Sequence, residues 1–467
     1  MSETELEPQA AVPESELDED DRLKPEFVRA VLDAVEAGDD EGARTLVDPL
    51  HPADIADLFE LASHDERRDL ARSLADLVDA DVFAEMNEHV REDLIDALEP
   101  HEVADLAAEL DTDDAVAIIE DMEPEDQREV LRAMEPDDRA AIEEALSYPE
   151  ESAGRLMQRE LIAVPEHWSV GDVLDYMRKN DDLTTDFWEI FVVDPAHKPI
   201  GTCALSWILR TPRAILISDV MKREQTLIPV DMDQEEVALR FQKYALISAA
   251  VIDPSGRLVG MITVDDVVHI ISEEAGEDVL LLSGAGEGDI NEPVIDSYKT
   301  RVRWLIANLG TATIAATIIW MFQGTLDKMI ALAALMPVVA GVGGNAGTQT
   351  LAVTVRALAT NQLTDSNSLR TIRREMKVAL LNGGTIAALI GIVVSLIFWN
   401  AELGAVIAAA MLFNILIAGL AGVIVPLTLD RYNADPAVAS SIFVTMTTDS
   451  MGFLVFLGLA TAAGLAS

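Results

Sequence analysis

The sequence predicts a multidomain chain: an α-helical N-terminal domain of α-solenoid type, a tandem pair of α/β units and a five-helix transmembrane domain. Three observations carry this prediction. Of the 83 acidic residues, 76 precede Arg301, so the first 300 residues hold a net charge near −52 and the rest near +2. Uncharged apolar stretches recur after Trp304. One short α/β pattern occurs twice between residues 151 and 275.

Residues 1–24 are rich in Glu, Asp and Pro. They hold too little apolar surface to offset chain entropy and are expected to form a disordered acidic tail. Residues 25–150 read as helix throughout, because Ala, Leu, Glu and Asp dominate and glycine is nearly absent beyond Gly38 and Gly42. A proline follows an apolar residue at Leu50-His51-Pro52, Leu98-Glu99-Pro100, Met122-Glu123-Pro124 and Met134-Glu135-Pro136. Proline suits the first turn of a helix, where its missing N–H has no intrahelical role. Each instance therefore marks one helix ending and another starting. Short helices at this spacing fit a small α-solenoid, with an irregular bundle as the alternative.

Residues 151–218 and 219–275 form the two α/β units. Phe191–Asp194 and Ala250–Asp253 are short buried strands, each followed by a turn containing Pro and Gly. An amphipathic helix precedes each strand, with Val173, Leu174 and Met177 inward in one and Val237, Phe241 and Tyr244 inward in the other. Residues 276–300 are expected as a connecting helix. Over residues 301–467 the apolar stretches Trp304–Phe322, Met329–Val355, Val378–Trp399, Leu403–Leu429 and about 441–465 each approach or exceed the roughly 20 residues that span a bilayer.

Loop charge predicts orientation. Lys299, Arg301 and Arg303 precede the first span, and Arg356, Arg370, Arg373, Arg374 and Lys377 lie between the second and third. Arg431 lies between the fourth and fifth, and the remaining loops hold only Lys328. Positive loops stay cytoplasmic, which puts the N-terminus inside and the C-terminus outside a multi-pass cytoplasmic membrane protein. No apolar stretch follows a basic start, so the N-terminal half is expected to remain on the side of synthesis.

Composition narrows the function. A charge near −52 excludes nucleic acid as a partner, because phosphate binding requires clustered Lys and Arg. It fits cation binding by carboxylates, or an acidic surface suited to high salt. The single cysteine, Cys203, excludes intramolecular disulfides and Cys-based metal clusters. An intramembrane enzyme would need clustered catalytic groups at depth, but no His follows His269. No enzymatic activity is expected.

Asp449 is the acid placed inside a span. A carboxylate in lipid costs several kcal/mol and normally faces a pore, cavity or partner. The competing role is a protonated helix–helix hydrogen bond. In the second span Pro337, Gly341, Gly343, Gly344 and Gly347 should break the helix, while Asn345, Thr348 and Gln349 add oxygens. Gly343 and Gly347 also satisfy a small-residue packing motif. Such a path suits Mg²⁺, a hard ion that binds oxygen and sheds water reluctantly. One carboxylate per chain makes a poor pore, whereas a two-fold homodimer would face two Asp449 carboxylates across an axis.

At this point the residues resemble the MgtE magnesium channels. The likeness lies in Leu50–Ala56, Tyr148–Met157, Asp233–Ala238 and Gly260–Val267, and in the membrane part in Gly343–Gln349, Asp435-Pro436-Ala437 and Thr448-Asp449. The resemblance implies a helical N domain, a tandem CBS pair, a plug helix over 276–300 and five spans. It implies a homodimer in membrane lipid with one Mg²⁺-selective pore, lined by Asp449 with Gly344, Asn345, Thr348 and Gln349. It also implies Mg²⁺ sensing: bound Mg²⁺ closes the acidic domains and the plug shuts the pore. The implied ligands are Asp233, Asp266, Glu273, Glu274, Glu277, Asp278 and Asp435. Many CBS pairs bind ATP, a second candidate ligand here. Relatives often carry Asp after the tyrosine where this chain has Ala245, which removes one acidic contact. The alternatives are transport of another divalent cation such as Co²⁺ or Mn²⁺, and a membrane-anchored CBS nucleotide sensor.

Overall fold

The computed structural model describes residues 16–95, 97–120, 122–179, 187–284, 290–432, 434–438 and 440–465. Two compact units result, Met1–Ile271 and Ser272–Ser467.

In the first unit, ten helices lie between Pro25 and Ala145 among the described residues. Proline occupies the first turn of Pro25–Glu36, Pro52–Leu61, Pro100–Ala107, Pro124–Ala133 and Pro136–Ala145, as its missing N–H dictates. Acidic side chains cap the starts. Asp39 accepts from the Gly42 N–H, and the Glu99 N–H donates to Glu102. Helices pack on others two places further along the chain, such as Pro52–Leu61 on Ala80–Glu85 and Pro100–Ala107 on Pro124–Ala133. This is the stacking of an α-solenoid. Leu58, Phe59, Leu70, Leu74 and Ile119 fill its core.

Of the tail expected over residues 1–24, residues 1–15 lie outside the described set. Residues 16–24 are folded: Leu17 bridges to Leu23, Leu23 is buried, and Asp18 accepts from the N–H groups of Asp20 and Arg22. Two leucines separated by an acidic turn reach the core, so the ordered domain starts ahead of Pro25.

The α/β units repeat one topology. Strands β1 (Ala163–Pro165), β2 (Glu189–Val193) and β3 (Pro199–Ala204) form the sheet β1-β2-β3. Strands β4 (Leu227–Pro229), β5 (Ser248–Ile252) and β6 (Leu258–Thr263) form β4-β5-β6. In both, the first pair is parallel, the second antiparallel, and the register shifts at the matching residue, Val193 and Ile252. The turns match too. Asp194 accepts from the Ala196 and Lys198 N–H groups, and Asp253 from those of Ser255 and Arg257. His197 takes the positive φ that Gly256 holds in the second unit. Phe191 and Val193 pack with Ala250, Leu258 and Met261, which joins the sheets.

The helices Val170–Lys179 and Gln234–Tyr244 bury Val173, Val237 and Phe241, with Leu174 and Met177 packed against the first core. Tyr244, expected inward, is 56% exposed. It is the last helical residue, and Ala245 turns the chain away at φ 50. Its ring lies 5.4 Å from the Lys243 ammonium instead.

Among the described residues, the second unit contains five helices long and apolar enough to cross a membrane: Val294–Met321, Ile330–Ala359, Ser368–Ile397, Ala401–Arg431 and Ser440–Ala462. The fourth is central and packs on the second, third and fifth. The region 276–300 is divided. Its start belongs to the helix Val264–Ser283, and its end to the first span, which continues without interruption from Val294. The expected break in the second span does not occur. Ile330–Ala359 is one helix with Pro337 inside it. Proline withdraws a single hydrogen bond, and the apolar surroundings give the remaining N–H groups no partner better than the helix itself.

Candidate functional site

The second span has two faces, and its small residues decide which does what. Gly343 and Gly347 are buried. A Cβ on Gly343 would lie 2.0 Å from Asn414 Nδ2 of the fourth span, and one on Gly347 would lie 2.6 Å from Val444 of the fifth. Asn414 is fully buried and donates from Nδ2 to the Val339 carbonyl at 2.9 Å. Gly452 of the fifth span leaves room for the same amide. Glycine here permits close approach of three helices around one buried amide.

The opposite face carries the residues expected along an ion path. Asn345 and Thr348 are exposed, and Gly344 has nothing within 4 Å of a built Cβ. Thr348 Oγ1 donates to the Asn345 carbonyl at 3.1 Å. Gln349 is also exposed but turns toward the third span. It lines a recess of about 240 Å³ with Arg374, Glu375 and Asn382. Asp449 sits half-buried in the middle of the fifth span, beside the fully buried Thr448 that packs near Gly347. The small-residue motif and the polar face thus occupy separate sides of one helix.

A second set of groups lies in the first unit. Thr112–Glu120 of the helical domain opens with Asp113 and Asp114, and Val264–Ser283 opens with Asp265 and Asp266. Asp113 is 8% exposed, and among the described residues its Oδ1 has no hydrogen-bond partner. Burial and the neighbouring Asp266 carboxylate push its proton affinity well above the ordinary range. Burial and Asp266 also raise the pKa of Asp114 to about 6. Asp266 is raised by burial, although Thr263 Oγ1 donates to it at 2.6 Å. Carboxylates collected in a poorly solvated place favour either protons or a cation.

Asp113 and Asp114 were not among the residues singled out in the sequence. The run Asp111-Thr112-Asp113-Asp114 carries their only local signal, and it looks like many other acidic helix starts in this chain.

The remaining expected ligands are dispersed. Asp233 is exposed and caps Gln234–Tyr244, accepting from the Glu235 N–H at 3.0 Å. Glu273 is exposed, while Glu274 and Glu277 are half-buried on Val264–Ser283. Asp278, on the same helix, has its pKa raised by burial and then by Asp435. Asp435 accepts from the Ala437 N–H at 2.7 Å in the loop before the fifth span. Leu281 and Leu282 pack on a cluster of Leu351, Val355, Ala421, Ala437 and Val444. The end of this helix therefore rests on the second, fourth and fifth spans.

Among the described residues, no group of three or more His, Cys, Asp or Glu side chains is gathered closely enough to enclose a metal ion. The donor chemistry still fits Mg²⁺, which keeps several waters and is held by one or two carboxylates. The orphaned Asp113 oxygen beside Asp266 offers such a pair.

Comparison with known proteins follows the same division. Residues 336–459 match the family profile of divalent cation transporters, 50–151 match the MgtE intracellular N domain, and 153–205 and 217–273 match the CBS domain. The magnesium transporter MgtE of Bacillus subtilis is 30% identical over 320 residues, covering 68% of this chain and 70% of that protein. Magnesium transporter MgtE of Thermus thermophilus is 32% identical over 323 residues, covering 68% and 71%. A crystal structure of the cytosolic domain of the Mg²⁺ channel MgtE in complex with ATP is 26% identical. It covers 52% of this chain and 99% of that one, with a TM-score of 0.48.

Proposed function

This chain belongs to the MgtE family of transporters, and on that premise we propose that it carries Mg²⁺ through the membrane past Asp449, under control of its own acidic domains. It is a multi-pass membrane protein, with five helices among the described residues long and apolar enough to span. The observation that carries the proposal is Asp449, a carboxylate in the middle of the apolar fifth span. Such a group is costly to leave in lipid and is useful where a cation passes.

In this reading two copies associate about a two-fold axis, so that two Asp449 carboxylates share one path. Asn345 and Thr348 supply oxygens from the exposed face of the second span, and Gly344 keeps that face open. The ion passes largely hydrated, because Mg²⁺ sheds water reluctantly. Gln349 is assigned to the entrance of the path rather than to its narrowest part.

Control comes from like charge. With Mg²⁺ scarce, Asp113, Asp114 and Asp266 repel one another, as do Asp278 and Asp435. A divalent ion removes that repulsion and favours the closed arrangement, which supplies the differential affinity that any ligand-driven switch needs. Helix Val264–Ser283 bears Asp266 in its first turn and Leu281 and Leu282 in its last, so it is the continuous stretch of chain assigned the link in this reading. Glu273, Glu274 and Glu277 on that helix are further ligand candidates, whereas Asp233 serves first as a cap. The acidic domains lie in the cytoplasm and the C-terminus outside, in keeping with loop charge. ATP at the CBS pair would be a separate ligand.

Mg²⁺ flux into liposomes holding the full chain tests this, with Mg²⁺ varied on the face bearing the acidic domains. Flux should fall as that Mg²⁺ rises. Absence of flux in intact, inserted protein would favour an anchored sensor. Equal flux of Co²⁺ or Mn²⁺ would broaden the substrate to divalent cations in general.

A further inference from the structure

The first turns of the third span carry Arg370, Arg373, Arg374 and Lys377. These positions are spaced i, i+3, i+4 and i+7, which places them on one stripe of the helix. All four side chains are exposed, and with Leu369 they line a recess of about 490 Å³. Arg374 pairs with the buried Glu375. Among the described residues, Arg370, Arg373 and Lys377 have no carboxylate within ion-pair distance. Residues 301–467 hold seven acidic residues against nine basic ones, so few carboxylates of the same region are at hand to pair with them. Cations in the early turns also meet the positive end of the helix dipole, so their gathering is unfavourable without an anion.

The same stripe continues into an apolar, unpartnered surface. Leu380, Leu381 and Ile392 are 54%, 72% and 62% exposed. The uncharged run Val378–Trp399 starts directly after Lys377 and is long enough to cross the hydrocarbon core. The four cations therefore occupy the headgroup layer, within about 12 Å of its apolar edge at 1.5 Å rise per residue. A ligand matching this surface has a compact anionic head and a hydrocarbon tail running along the helix.

We infer that the recess lined by Leu369, Arg370, Arg373, Arg374 and Lys377 binds the headgroup of an anionic phospholipid, with an acyl chain lying along Leu380, Leu381 and Ile392. The site shares Arg374 with the recess beside Gln349 and is otherwise separate from the residues assigned to the ion path. General positive charge at a membrane face would attract anionic lipid loosely. A stripe of four cations leading into exposed leucines holds one molecule in place, because phosphate and tail are recognised together.

Native mass spectrometry of the purified, delipidated full chain tests this, with phosphatidylglycerol and phosphatidylcholine of matched chains offered in equal amounts. Phosphatidylglycerol adducts should dominate. Arg373→Gln should weaken that preference about fivefold, the worth of one cation near a membrane surface. Arg301→Gln/Arg303→Gln, at the charged approach to the first span, should leave it unchanged. Equal retention of the two lipids overturns the proposal, as does an equal loss in both variants. If Arg373→Gln is not recovered folded, competition on the natural chain decides. Loss of the preference in 10 mM inorganic phosphate would assign the recess to a soluble anion and overturn the lipid. Persistence of the preference supports it.

Discussion

Asp113 of the helical domain and Asp266 of the second α/β unit, far apart in sequence, are neighbours in the fold, where burial first and then the Asp266 carboxylate raise the proton affinity of Asp113. Asp113 is buried with one oxygen unpaired, and Asp114 beside it is raised to about 6. The pair lies between two domains that share one compact unit.

Protons should substitute for a metal at this place. A carboxyl whose folded pKa exceeds its unfolded value stabilises the fold fully below the unfolded value, and loses that contribution as pH rises through the folded one. For Asp114 the window runs from near 3.8 to about 6. In Mg²⁺-free buffer the full chain should melt at a lower temperature at pH 7.5 than at pH 5. Asp114→Asn should recover on the order of 1–3 kcal/mol at pH 7.5 and flatten the pH dependence in that window. A variant whose melting follows the natural chain at every pH would refute the assignment.

Mg²⁺ should stabilise the natural chain at pH 7.5. Binding to the folded state alone adds about 2.7 kcal/mol at a hundredfold excess over Kd. Asp113→Asn/Asp266→Asn should melt higher without Mg²⁺ and gain little from 10 mM Mg²⁺. Calorimetry of both proteins with and without the ion makes the comparison.

At the membrane, Asp449→Asn should lower Mg²⁺ flux by at least about tenfold at unchanged abundance, since loss of a lone intramembrane charge removes more than about 1.4 kcal/mol of ion stabilisation. Asp449→Glu should retain part of it. Unaltered flux in Asp449→Asn would remove this residue from the path.

The neighbouring glycines Gly343 and Gly344 should respond oppositely to one added methyl. Gly343→Ala places its Cβ against Asn414, with an expected cost of about 1–3 kcal/mol from overpacking. Gly344→Ala meets no neighbour within 4 Å and should leave thermal stability in detergent unchanged. Equal melting of the two variants would contradict the packing described for the second, fourth and fifth spans.

Asp278→Asn should reduce the response of flux to Mg²⁺ on the side of the acidic domains. The substitution removes both the charge that faces Asp435 and a proposed Mg²⁺ ligand. The ratio of flux at low and high Mg²⁺ is the readout, and an unchanged ratio would detach this pair from control.

Periodicity and composition made most of the architecture legible. Proline at the first turn marked helix starts at Pro52, Pro100, Pro124 and Pro136, because its chemistry is local. The repeated strand-and-turn pattern foretold two sheets whose registers match residue for residue. Five apolar runs became five long helices, because lipid leaves the backbone no other way to satisfy its polar groups. Asp449 stood out for the same reason.

Only the tertiary structure decided which polar residues act together. Asn414 lies in an apolar run without a local signal, yet it anchors the crossing of three spans through Val339. Asp113 looks like any acidic helix start until Asp266 is brought beside it. Tyr244 satisfies the spacing of an inward face, but the helix ends under it. Gly343 and Gly344 are adjacent and chemically identical, and their surroundings alone separate a packing contact from an open face. Spacing along one chain fixes which side of an element a residue occupies. What stands opposite that side is set by packing between elements distant in sequence, and the energies of buried charge, unpaired amide and added methyl all depend on it.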